Sequence, residues 1–125
     1  MQNFLKLLEQ NRKLDPFFKE KESRELFSWL LWEITEAQEE YDKWDFSELQ
    51  SEMWDVLWTL FLLLDKLEDE GKISKQEVFE KITSKISNRK SFLLENREVS
   101  KEEAQKIWND AKRKEWYEEK RLWND

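Results

Sequence analysis

The sequence contains no cysteine and no histidine, and only one glycine and one proline in 125 residues. Without cysteine there is no disulfide framework. Without histidine there are no imidazole metal ligands and no imidazole acid–base chemistry, so any catalysis runs mainly on carboxylates, Lys, Arg and bound metal. The near absence of helix breakers, beside abundant Glu, Lys, Leu and Trp, predicts an all-α chain. Positive charge is outnumbered: 22 Lys and Arg stand against 29 Asp and Glu, for a net charge of −7. That balance provides no strong field to draw in polyanions, which argues against DNA and RNA as partners. A small phosphate ligand that brings its own cations is not excluded. The most apolar stretch, MWDVLWTLFLLL from Met53 to Leu64, is twelve residues long and contains Asp55 and Thr59. It is too short to span a bilayer, which takes about 20 residues. The opening residues MQNFLKLLEQNRK lack a charged segment followed by a long apolar one. The expected setting is therefore the cytoplasm, away from membranes.

Eight Trp and eight Phe supply ample apolar area for a core, although 41% of residues are charged. About five helices are expected. A short amphipathic segment covers residues 3–13 and is closed by Asp15-Pro16. A second helix covers residues 24–43, after Ser23. A third starts near Ser47, which has capping-box spacing to Gln50, and runs to about Glu70, with Gly71 as its C′ residue. A fourth starts at Ser74 with Glu77 and ends near Leu94, and a fifth starts at Ser100 with Glu103 and runs toward Arg121. Short connections predict antiparallel neighbours in a bundle. No strand alternation, repeat or linker interrupts the pattern, so residues 1–125 read as one domain.

The acids carry the chemistry. In the second helix Glu33, Glu36 and Glu40 share a face, and Glu33 emerges at the edge of the apolar stripe of Leu26, Leu30 and Ala37. In the third, Glu52, Asp55 and Thr59 share a face, with Asp55 inside an otherwise apolar run. A carboxylate in such a run is costly unless something compensates it. Antiparallel packing lets the two pairs converge. Four close carboxylates repel one another and hold protons unless cations lie between them, and the hard cations Mg2+ or Mn2+ suit oxygen donors.

Glu33-Ile-Thr-Glu36 followed by Glu52-Met-Trp-Asp55 resembles the E-x-x-E and E-x-x-D pattern of the MazG-like all-α nucleoside triphosphate pyrophosphohydrolases. DPFFKEKESREL resembles the family's stretch before its first acidic helix, and DEGKISKQEVFEKITSKISNRKSFL its Glu-Gly turn and the helix that carries a Lys and then an Arg. VSKEEAQKIWNDAKRKE resembles the closing helix, with Trp108, Lys112 and Glu115. The chain differs from many members at Trp32, where a second Glu is common, at Trp54, where Gly is common, and at Glu22-Ser23, where a Thr-His pair occurs.

The resemblance implies that Glu33, Glu36, Glu52 and Asp55 bind magnesium, with Glu36 also the catalytic base that takes a proton from the attacking water. It implies that Lys85 and Arg89, one turn apart, meet the phosphates, and that Trp108 and Lys112 help close the nucleotide site. The expected reaction converts a nucleoside triphosphate to the monophosphate and pyrophosphate, as in the clearing of unwanted nucleotides. The rival within the same fold is a dUTP- or dCTP-directed enzyme, and the rival from another class is a non-catalytic helical interaction module. The nearly all-apolar middle of the third helix is more than five helices of one chain can surround, so at least a homodimer is expected, and the resemblance implies a homodimer or homotetramer.

Overall fold

The computed structural model describes residues 2–124 and the side chains of residues 2–120. Among the described residues there are six α-helices and no strands: α1 (Gln2–Leu14), α2 (Pro16–Glu20), α3 (Ser23–Asp42), α4 (Phe46–Asp69), α5 (Lys75–Arg89) and α6 (Lys101–Asn124), with a 3₁₀ turn at Ser91–Leu93. The all-α expectation holds. The sixth helix is the short α2. Pro16 ends α1 as expected, but it also opens a new helix, because proline's fixed φ suits the first helical position. The Asp15 carboxylate caps α2 by accepting from Phe17 N at 3.0 Å. Among the described residues no helix is long and apolar enough to cross a membrane.

The chain falls into two compact units, the first ending at Lys75 and the second beginning at Gln76. The first is built on the hairpin of α3 and α4. Its open end is closed by Glu70, which accepts from Ser23 N at 3.0 Å and from Ser23 Oγ at 2.6 Å. That pairing of the start of α3 with the end of α4 makes the two helices antiparallel. The core consists of Leu8, Phe18, Leu26, Leu62 and Leu63, with Phe4, Leu30, Trp58, Phe61 and Leu67 packed around it. α1 lies along α4: Phe4 meets Trp58 and Phe61 edge to face at 6.1 and 5.3 Å. Arg12 pairs with Glu68 (2.9 Å), Asp65 (3.8 Å) and Asp69. Buried Asp65 also holds the Lys75 ammonium, and Glu68 accepts from Lys75 N at 2.7 Å.

Three helix limits depart from expectation, the first being α3, which begins at Ser23 itself. α4 begins at Phe46, not Ser47, because Asp45 is the cap and accepts from Glu48 N. α5 ends at Arg89 rather than near Leu94, and the chain tightens into the 3₁₀ turn before reversing at Asn96, whose φ is 50°. Gly71 does stand just past α4, with φ 73°. Its N–H bonds Glu68 O and that of Lys72 bonds Leu67 O, both at 2.9 Å, which is the Schellman arrangement. At the other end of the hairpin Trp44 takes the same left-handed position with φ 59°, an uncommon conformation for a bulky residue.

Candidate active site

The hairpin register puts the acidic turn of α3 beside that of α4. Glu33, Glu36 and Glu52 each offer a carboxylate oxygen, and these oxygens all lie within 4.8 Å of one another. All three side chains are half-buried. Glu52 is driven up to about 7 by desolvation first, then by the neighbouring Glu36 carboxylate, with Asp55 and Glu33 adding to the repulsion. Glu33 is raised in the same way, first by desolvation and then by the charges of Asp55 and Glu36. Asp55 thus belongs to the same electrostatic group, although the tight trio excludes it. Glu40 does not join: its carboxylate lies 3.8 Å from Lys43. Thr59, the third residue of the α4 face, is buried.

One detail tests whether a cation fits. Glu33 Oε2 and Glu52 Oε2 are buried and accept no hydrogen bond from the described residues. A buried carboxylate oxygen is normally paired. Hard oxygen donors converging from two helices, two of them unpartnered, suit a divalent cation. Beside them Trp54 stacks on Trp58, with centroids 6.2 Å apart and planes 11° apart. Trp54 and Asp55 also border an open groove with Ser47, Gln50 and Ser51.

The residues expected to meet phosphate belong to the second unit. Arg89 donates to Glu115 through Nη2 at 2.8 Å and Nε at 3.4 Å, and its guanidinium lies 5.1 Å from the centre of the Trp108 ring. Lys85 and Lys112 lie close enough to lower the Glu115 carboxyl, after the larger effect of the Arg89 hydrogen bond. Arg89 is thus held between Glu115 and the Trp108 ring, and Lys85 and Lys112 act on the same carboxylate.

Residues 21–93 match the family model described as the MazG nucleotide pyrophosphohydrolase domain. The chain belongs to this family. Its MazG match spans α3, α4 and α5, and so includes the four acids together with Lys85 and Arg89. Trp108 and Lys112 lie beyond it. Among solved structures the chain is similar to a MazG-related protein from Thermotoga maritima, with a TM-score of 0.84 and 27% identity over 90% of this chain and 99% of that one. No curated protein matches it.

Beyond the MazG match, what the sequence did not show is the pairing of Glu115 with Arg89. Glu115 stands three residues after Lys112, a spacing that points to a pair across one helix turn. The carboxylate instead pairs with Arg89, 26 residues away. Nothing local to α6 signals that choice.

Proposed function

We propose that this chain is a magnesium-dependent nucleoside triphosphate pyrophosphohydrolase, which converts an NTP or dNTP to the monophosphate and pyrophosphate. The observation that carries this reading is the trio Glu33, Glu36 and Glu52, with its ligand oxygens within 4.8 Å of one another and two buried oxygens left unpartnered. Glu33, Glu36, Glu52 and Asp55 would hold magnesium or manganese, which supplies neutralisation and Lewis-acid polarisation of the phosphate oxygens. Glu36 is the general base and takes a proton from the attacking water. The water oxygen bonds to phosphorus as the bridging P–O bond breaks, and the electron pair of that bond leaves with the departing phosphate group. Lys85 and Arg89 bind the phosphate oxygens and offset charge on the pyrophosphate, while Lys112 and Trp108 help retain the nucleotide. Residues 1–125 act as one catalytic domain within a homodimer or homotetramer.

The deciding experiment is a panel of nucleoside triphosphates with magnesium, with pyrophosphate and orthophosphate measured separately. Pyrophosphate without orthophosphate is expected. Asp55→Asn and Glu36→Gln should each lower kcat/KM by at least about 100-fold, the order seen when an electrostatic group is removed from a dry site, with helix content unchanged. A wild-type chain that releases no pyrophosphate and gains no thermal stability from magnesium plus nucleotide is a non-catalytic helical module.

A further inference from the structure

Arg89 is held from two sides before any ligand arrives. Glu115 takes its Nε–Nη2 edge, at 3.4 and 2.8 Å, and the Trp108 ring lies against it at 5.1 Å. Both members of the ion pair are largely withdrawn from water, with 17% and 21% of their side chains exposed, so solvent screens the contact less than at an open surface. Neither contact uses Nη1. An arginine has several freely rotating bonds, and ordering them on binding costs affinity. A planar guanidinium clamped along one edge presents its remaining N–H groups in a fixed direction. Lys85 and Lys112 act on the same carboxylate. Glu115, with Glu119 also acting on Arg89, thus offsets part of the mutual repulsion of these cations. Trp108, with Arg89 and Lys90 both over its ring, supports cations and is not a free platform for a base.

We propose, on the reading above in which Arg89 meets the substrate phosphates, that Glu115 is a positioning residue: it orients Arg89 so that Nη1 is presented to the phosphate, without itself touching nucleotide. The opposite role would be a latch that competes with phosphate for Arg89. The side-on geometry argues against a latch, because Nη1 takes part in neither hydrogen bond to Glu115.

The test uses the full chain with magnesium pyrophosphate as the probe. Affinity is measured by calorimetry, and KM and kcat by pyrophosphate release, for wild type, Glu115→Ala, Glu115→Gln, Arg89→Ala and the Glu115→Ala/Arg89→Ala double variant. Glu115→Ala should weaken pyrophosphate binding about tenfold and raise KM in proportion, as expected when a charge-assisted contact loses its orientation, with kcat changed less. Glu115→Gln retains one carbonyl acceptor and should lose less. Beside Arg89→Ala, Glu115→Ala should have no further effect. The Arg89 Nε–H proton, identified by its loss in Arg89→Ala, should exchange slowly in wild type and rapidly in Glu115→Ala. Unchanged or tighter pyrophosphate binding by Glu115→Ala, or additive losses in the double variant, would overturn the positioning role and leave the pyrophosphohydrolase reading standing. A wild-type chain that neither binds magnesium pyrophosphate nor releases pyrophosphate removes that reading, and the proposal with it.

Discussion

Glu52 illustrates what the hairpin does to a single residue. Its ordinary value of 4.5 is pushed to about 7 by desolvation and then by Glu36, Asp55 and Glu33. A carboxyl raised on folding disfavours the folded state once it ionises. The penalty is absent below 4.5, grows as pH rises, and is complete above about 7. In the metal-free protein, Glu52→Gln should therefore raise the urea midpoint at pH 8. The advantage should shrink as pH falls through 7 and vanish below 4.5. Magnesium should reduce it at pH 8, because a bound cation removes the repulsion in the wild type. A Glu52→Gln protein less stable than wild type at pH 8 would make Glu52 a structural hydrogen-bonding group.

At the scale of the helices, the open end of the α3–α4 hairpin behaves in the opposite sense. Glu70 is held down at about 2, chiefly by the Ser23 hydroxyl, then by the Ser23 N–H and by Lys72. A lowered carboxyl stabilises the fold above its ordinary 4.5, and that stability is lost as pH falls toward 2. Ser23→Ala should be less stable than wild type at pH 7, and urea midpoints of the two should converge between pH 4.5 and pH 2. A gap that stays constant across that range would show that Ser23 acts through packing alone. The helices were largely legible in the sequence because their punctuation is local: Gly71 ends α4, and Ser100 accepts from Glu103 N at 3.1 Å at the start of α6. The acidic pairs were legible too, since spacings of three residues put them on one face of each helix. The misses have tertiary or competing causes. Asp45 outbid Ser47 as the cap of α4 because both are good caps, and backbone geometry chose between them. Trp44 in a left-handed conformation has no signal in composition. Ser23 was placed before its helix, yet it is the first residue of α3 and spends its hydroxyl on Glu70, 47 residues away.

At the scale of the whole molecule, the apolar run of α4 is buried on one side only within a single chain. Thr59, Leu62 and Leu63 are buried, whereas Met53, Leu57 and Leu60 are 39% to 51% exposed. These three recur at spacings of four and three, so they form a stripe. α3 carries a matching exposed stripe, Phe27, Leu31 and Ile34, at spacings of four and three. In the antiparallel register that brings Glu36 to Glu52, Ile34 falls level with Met53, Leu31 with Leu57 and Phe27 with Leu60. Helical geometry turns both stripes to the same side of the hairpin. The result is one continuous apolar face across two helices. A face of this kind is unfavourable in water and suits a two-fold contact in which each copy covers the other. A second hairpin laid on the first would complete a four-helix arrangement, in keeping with the expected homodimer. Light scattering at micromolar concentration should give twice the mass of one chain or a multiple of it. Leu31→Glu with Leu57→Glu places two charges in the middle of the face and should yield monomers, since burying an unpaired carboxylate costs several kcal/mol. A wild-type chain that is monodisperse at the mass of one chain would show that this face stays in water.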